Sequence, residues 1–195
     1  MKDNSYVAEQ EATILRNFEA RQLYWNTVRF AVIRDFVSNF KKSLSVGCGG
    51  YEPVRTGVNH ACDISDMSET YLRLVAWKGD FKVADCTALP YKEKEFDVVV
   101  CTEVIEHLPS LQAVQDTFKE IERIGQSWII TTPCNPLGKL NPEPTHKWAF
   151  SDEQLKYFDV SCKAKIYKDN LYYYVVKDDT ASFAGIFDKY SKGEP

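Results

Sequence analysis

Leu44-Ser45-Val46-Gly47-Cys48-Gly49-Gly50 reads as a short buried strand that runs into a glycine turn. Leu44 and Val46 flank a small residue, and the glycines let the backbone turn sharply and bring its N–H groups close to a ligand. The residues that follow give this turn its weight. One strand leads into Asp63, the next into Asp85 and a third into Glu103, all at β–α spacing. Four strand ends converging on one turn make the carboxyl-edge crevice of an open α/β sheet. The predicted fold class is therefore α/β, a single domain built on a mainly parallel sheet.

Outward from the turn, only fourteen positions separate Gly49 from Asp63, and Pro53 and Gly57 interrupt them. A parallel crossover needs about a dozen residues or more, usually with a helix. The first crossover is therefore expected to be short, with at most one helical turn. Strand two is expected at Asn59–Cys62, a helix from Ser68 to Trp77 ended by Gly79, strand three at Phe81–Ala84 and strand four at Asp97–Cys101. Pro109 stops the short turn Glu103–Leu108. Ser110 then caps a helix that carries Leu111, Val114, Phe118 and Ile121 on one face. Strand five is expected at Trp128–Thr131. A loop from Thr132 to Lys147 holds four prolines, and long irregular loops of this kind often carry function.

Ser151 and Gln154 form a capping box, with Phe150 and Leu155 as its hydrophobic staple. Val160–Tyr167 and Leu171–Val176 alternate as a terminal antiparallel hairpin. Before the sheet, Ile14 and Phe18, then Trp25, Val28, Val32, Phe36 and Phe40, recur at helical spacing. After it, Phe183, Ile186, Phe187 and Tyr190 do the same, as a tail packed on its own domain. The expected layout is a helical cover over 1–42, a core over 43–178 and a tail over 179–195.

The 195 residues are 44% hydrophobic, enough for a sizeable core, and the net charge is −4. That balance announces no nucleic-acid partner. No apolar run approaches membrane-spanning length, and the first residues lack a signal-peptide core, so a cytoplasmic protein with no membrane partner is expected. The six cysteines contain no C-x-x-C pair and are read as reduced thiols. Cys48, Cys62, Cys86 and Cys101 each fall near a strand end, as small fillers beside the crevice.

From Leu44 to Val176 the chain resembles the class I S-adenosylmethionine-dependent methyltransferases, a Rossmann-like family of transferases. The resemblance rests on VGCGG at 46–50, on Asp63 in CDIS, on Asp85 in VADCTALP and on FDVVVCTEVIEHL at 96–108. It implies an enzyme that methylates an acceptor with S-adenosylmethionine as cofactor. Gly47, Cys48 and Gly49 would border the cofactor, Asp63 would accept from its ribose hydroxyls and Asp85 from its adenine amino group. Ile64, Cys86 and Thr102 would complete the pocket, with Leu89 as a second candidate, beside Ile64, for the adenine ring. The sequence departs from the family pattern in two places. Ser45 stands where the family carries an acid, and Tyr51 takes the third glycine position, with Gly50 one place early. The family's first crossover helix points its N-terminus at the methionine end, and here that helix is expected to be vestigial.

Methyl transfer from a sulfonium is a direct displacement, so the protein's task is to align acceptor, methyl and sulfur. A hydroxyl acceptor also needs a proton acceptor or a Lewis acid. The candidates are Glu103, Glu106 and His107, which fall at i, i+3 and i+4 and would share one face of a helical turn, together with His146. In the metal-free reading His107 or His146 is the base, or neither is and positioning suffices, with Glu103, Glu106, His107 and His146 facing the acceptor. In the metal reading Glu103, Glu106, His107 and His146 hold Mg or Mn. His60 is read as structural.

This E-x-x-E-H pattern, with THKW at 145–148, resembles the metal-dependent 2′-O-methyltransferases of small RNAs and the quinone-pathway O-methyltransferases. The shortened crossover resembles a subgroup that modifies sugars and related metabolites. The leading expectation is O-methylation of a small-molecule or carbohydrate-like acceptor. Metal-dependent methylation of RNA ribose is the alternative, against which the acidic pI of about 5.5 counts. A non-catalytic nucleotide- or partner-binding module with a decayed site is the third reading.

Overall fold

The strand β1 (Ser43–Val46) is buried along its whole length and has a parallel neighbour on each side. The computed structural model describes residues 28–134, 145–157, 164–169 and 172–192. The other strands are β2 (His60–Asp63), β3 (Asp80–Val83), β4 (Phe96–Thr102), β5 (Gly125–Pro133), β6 (Lys165–Lys168) and β7 (Tyr172–Lys177). They form one seven-stranded sheet in the order β3-β2-β1-β4-β5-β7-β6. The first five strands are parallel, and β7 runs antiparallel to both β5 and β6. The chain order reverses between β1 and β4, so the ligand crevice of this sheet opens at their carboxyl ends.

The helices are α1 (Val28–Val37), α2 (Glu52–Thr56), α3 (Met67–Leu74), α4 (Leu111–Ile124), α5 (Asp152–Tyr157) and α6 (Phe183–Ser191), with a 3₁₀ turn at Ile105–His107. Alternation along the strands divides the core into two layers. Val99, Cys101, Trp128, Ile130, Tyr173 and Val175 pack with Val114, Phe118, Ile121 and Ile124 of α4. Val98, Val100, Ile129, Tyr174 and Val176 pack on the other face with Val32, Ile33 and Phe36 of α1 and Phe183 of α6. Asp35 ties α6 to α1 by accepting from the Tyr190 hydroxyl at 2.7 Å and the Lys189 ammonium at 3.2 Å.

Local signals account for most of the elements. Ser110 caps α4 by accepting from the Ala113 N–H at 3.1 Å. Ser110→Ala should lower stability by about 1 kcal/mol in urea unfolding; an unchanged midpoint would mean that α4 starts without this cap. Both bonds of the capping box form, Ser151 N–H to Gln154 Oε1 at 2.9 Å and Gln154 N–H to Ser151 Oγ at 3.3 Å. The first crossover is as short as expected: α2 holds one turn, with Pro53 near its start and Gly57 in the left-handed region at its end.

Other boundaries differ from the sequence reading. β5 begins at Gly125 and runs to Pro133, because Gly125 pairs with Phe96 and Pro133 with Tyr172 beyond the apolar run. α3 covers Met67–Leu74, and Ser68 lies buried inside its first turn instead of capping it. The helix closes with Ala76 in the left-handed region (φ +56°) and the Trp77 N–H bonded to Leu72 O at 3.0 Å. That closure comes three residues before the glycine that the sequence suggested. β2, β3 and β4 each differ from expectation by a residue or so at their ends. Ile14, Phe18 and Trp25, the prolines at 136, 142 and 144, and the start of the predicted hairpin at Val160 lie outside the described residues.

Candidate active site

The glycine turn is pinned to the end of β2. The Gly47 and Cys48 N–H groups both donate to Cys62 O, at 2.9 and 3.2 Å. Gly47 and Gly49 hold φ of +67° and +52°, where side chains are disfavoured. Their surroundings differ. A Cβ on Gly47 would stand 2.4 Å from Val104 Cγ2, whereas a Cβ on Gly49 would meet nothing within 4 Å. Gly49 therefore faces open space at the crevice, and the turn can receive a ligand against its backbone.

Asp63 closes this arrangement. Its Oδ2 accepts from the Gly49 N–H at 2.9 Å and its Oδ1 from the Ser65 N–H at 3.0 Å. Each oxygen keeps a second lone pair. β3 lies alongside, with Asp63 opposite Val83 and the Ala84 N–H on Asp63 O at 2.8 Å. Asp85 follows two residues past the strand end. The Thr87 N–H and hydroxyl both reach its Oδ1 at 2.8 Å, and these bonds hold its carboxyl below the usual range. Two carboxyl acceptors thus stand at the ends of adjacent strands.

The smaller expected pocket residues sort differently. Ile64 is 73% exposed beside Asp63, whereas Leu89 is buried in the core. Cys48 is buried, and Cys86, half-buried, receives the Thr117 hydroxyl on its sulfur at 3.3 Å. Burial pushes both thiols up, so they are neutral fillers. The described cysteines are all free.

Thr102 turns its hydroxyl to Glu52, a residue the sequence reading passed over. Glu52 opens α2, and its Oε1 accepts from Ser45 Oγ at 2.6 Å while its Oε2 accepts from Thr102 Oγ1. Desolvation pushes this carboxyl up to about 8, against the Ser45 bond and the Arg29 charge. Arg29, also missed, comes from α1. Its Nη1 lies 2.9 Å from Glu103 Oε1, and its guanidinium lies 4.5 Å from the ring centres of both Phe30 and Tyr172. Nothing local in the sequence marked Arg29. Glu52 left one signal, its place two residues after a turn whose strand lacks an acid.

Glu103 does not share a face with Glu106 and His107. It sits at φ +55°, outside the 3₁₀ turn, so the i, i+3 argument fails at its first residue. Its carboxylate faces Arg29 and takes the Thr131 hydroxyl at 3.3 Å. The residues brought together are Glu106, His107 and His146, whose ligand-type atoms all lie within 4.8 Å of one another. The Lys147 and Trp148 N–H groups dock on Glu106 O at 2.8 and 3.2 Å, and the Trp148 indole donates to Leu108 O at 2.7 Å. This docking brings His146 beside His107, with ring centres 4.7 Å apart.

Within the group, His107 Nδ1 lies 3.2 Å from Thr145 O, and its Nε2 lies 3.9 Å from Glu106 Oε1. Glu106 Oε2 accepts from the Thr132 hydroxyl at 3.1 Å, while its buried Oε1 has no hydrogen-bond partner among the described residues. Burial, with Glu103 nearby, pushes this carboxyl up to about 8. His60 begins β2, away from this group, between Asn59 at 2.7 Å and Asp80 at 3.5 Å.

Comparison with known proteins bears on this geometry. Residues 44–127 match the methyltransferase domain family. Phosphoethanolamine N-methyltransferase 1 of Triticum aestivum is 26% identical over 185 residues, covering 85% of this chain and 36% of that protein. The chain thus spans about a third of the length of this curated relative. Among solved structures, an S-adenosylmethionine-dependent methyltransferase from Clostridium acetobutylicum superposes with a TM-score of 0.59 at 12% identity, covering 84% of this chain and 97% of that one. The methyltransferase domain of bacterial CtHen1 gives 0.58 at 18% identity, covering 77% and 97%. At such identities the likeness carries the fold. Among the described residues no helix is long and apolar enough to cross a membrane.

Proposed function

We propose that the chain is a class I S-adenosylmethionine-dependent methyltransferase that methylates an oxygen of a small-molecule or carbohydrate-like acceptor, a reading supported by the methyltransferase domain match over residues 44–127. The open side of Gly49 and the spare lone pairs of Asp63 fit the cofactor. Asp63 would accept from the ribose hydroxyls and Asp85 from the adenine amino group. The Gly47–Gly49 backbone would border the methionine end, with Ile64 and Cys86 toward the ring and Thr102 toward the turn. When bound, the cofactor supplies an electrophilic methyl and its own leaving group. The protein then orients the acceptor and removes its proton.

The observation that carries the oxygen reading is the buried Glu106 carboxylate with one unpartnered oxygen, placed against two imidazoles. A carboxyl raised to about 8 is largely protonated at neutral pH and becomes available as a base as the pH rises through that value, so a rate that depends on it should climb with pH over the same range. Glu106→Gln should leave S-adenosylhomocysteine affinity unchanged and lower the methylation rate by about 10²–10⁴-fold. A radiolabelled-methyl screen of hydroxyl- and amine-bearing metabolites would find the acceptor on which to measure it. Transfer to amines alone, the chemistry named in the wheat relative, would overturn the oxygen assignment.

A second reading rests on the same three residues. Two imidazole nitrogens and a carboxylate oxygen within 4.8 Å fit a divalent ion of the Mn type, which would activate the acceptor as a Lewis acid, as in ribose methylation of RNA. Glu103, turned to Arg29, would not be a ligand. Mn²⁺ titrated into chelator-treated protein separates the readings. The base reading expects no binding heat and a rate indifferent to chelator; saturable heat that His146→Ala removes would establish the metal reading in its place.

A further inference from the structure

We propose that β3, an open edge of the sheet, pairs antiparallel with β3 of a second copy of this chain across a two-fold axis at Phe81. β3 ends the strand order on one side, and its Asp80, Lys82 and Val83 are exposed. The ladder to β2 fixes which of its backbone groups are already used. The Asp80 N–H donates to Asn59 O at 3.1 Å and the Ala84 N–H to Asp63 O at 2.8 Å, with parallel pairing from Asp80 to Val83 between them. Backbone groups alternate in direction along a strand, so those of Asp80, Lys82 and Ala84 turn to β2. Those of Phe81 and Val83 turn to the open edge.

Charge then selects the register. An added copy must set edge-facing residues opposite edge-facing residues. With the axis at Asp80 or at Lys82, that residue faces its own like charge. With the axis at Phe81, Asp80 of each copy faces Lys82 of the other, and Phe81 exchanges both backbone bonds with its counterpart. The two charge pairs fall in the non-hydrogen-bonded positions, where side chains approach most closely. The same register sets Val83, 56% exposed, opposite Gly79, where a Cβ would stand 2.2 Å from the Trp77 ring. The valine would pack on that indole. Within one chain Asp80 lies 3.5 Å from His60 Nε2, and Lys82 Nζ lies 4.8 Å from the Tyr91 ring centre. Both side chains nevertheless stay exposed, that of Asp80 by 87%. The other edge strand, β6, has a lysine at each end, Lys165 and Lys168, a pattern that discourages pairing.

Analytical ultracentrifugation over a range of protein concentrations tests the assignment. The wild-type chain should form dimers that weaken as salt is raised. Asp80→Lys and Lys82→Asp should each weaken dimerisation by about 10-fold or more, because each turns both opposite-charge pairs into like-charge pairs. Mixing the two variants should restore association, since the lysines of one then face the aspartates of the other at both pairs. That recovery separates charge matching from a failure to fold. A wild-type protein that stays monomeric would overturn the proposal. A dimer indifferent to salt and to both substitutions, which would join through another face, would overturn it too, as would a mixture that remains monomeric.

Discussion

Asp63→Ala is expected to weaken S-adenosylhomocysteine binding by on the order of 100-fold, the largest loss of affinity from any single side chain in this chain. Two effects add. The carboxylate would lose its bonds to the ribose hydroxyls, each about 1.5–3 kcal/mol for a charged acceptor. It would also release the Gly49 and Ser65 N–H groups that it now holds at 2.9 and 3.0 Å, so the turn loses its clamp. Asp63→Asn separates the two, since its amide oxygen still accepts from one N–H but carries no charge. An intermediate loss is expected for it. Calorimetry on the three proteins is the check, and an alanine variant within about 3-fold of wild type would show that the acid is only a turn former.

Gly47→Ala is expected to be the most damaging substitution for the fold near the site. The left-handed backbone costs an alanine about 1–2 kcal/mol. The added methyl would also stand 2.4 Å from Val104 Cγ2, and overpacking of this kind typically costs about 1–3 kcal/mol more. Val104 is β-branched and packed against the core, so it yields only by moving the backbone that leads into the 3₁₀ turn bearing Glu106. Gly49→Ala provides the contrast. Its backbone is similarly left-handed at φ +52°, but its methyl enters open space. The Gly49 variant should fold with only the backbone penalty and still bind the cofactor poorly. Thermal unfolding and ligand titration of the pair check this, and equal stability losses in the two variants would contradict it.

The parts legible in the sequence were those set by local chemistry. A strand ending in glycines, acids at Asp63 and Asp85, a Ser110 cap and a Ser151–Gln154 box each declare themselves within a few residues. The parts that were not legible depend on distant packing. Arg29 reaches Glu103 from a separate helix, and Glu52 reaches Thr102 across two strands. Glu103 was assigned to the wrong face because a left-handed residue interrupts the helical spacing that its position implied. The same conformation at Ala76, where a glycine was expected to be needed, shortened α3. His146 was named from the sequence, but its partners were fixed only by the docking of Lys147 and Trp148 on Glu106.

Whether the turn at Gly47–Gly49 and the acids at 63 and 85 hold one nucleoside is best decided by a crystal structure grown with S-adenosylhomocysteine. The ribose hydroxyls should lie on Asp63, the adenine amino group on Asp85, and the sulfur should point toward Glu106 and the two imidazoles. A nucleoside bound anywhere else, or a crevice still empty at millimolar ligand, would contradict the account and favour a module that has lost its catalytic role.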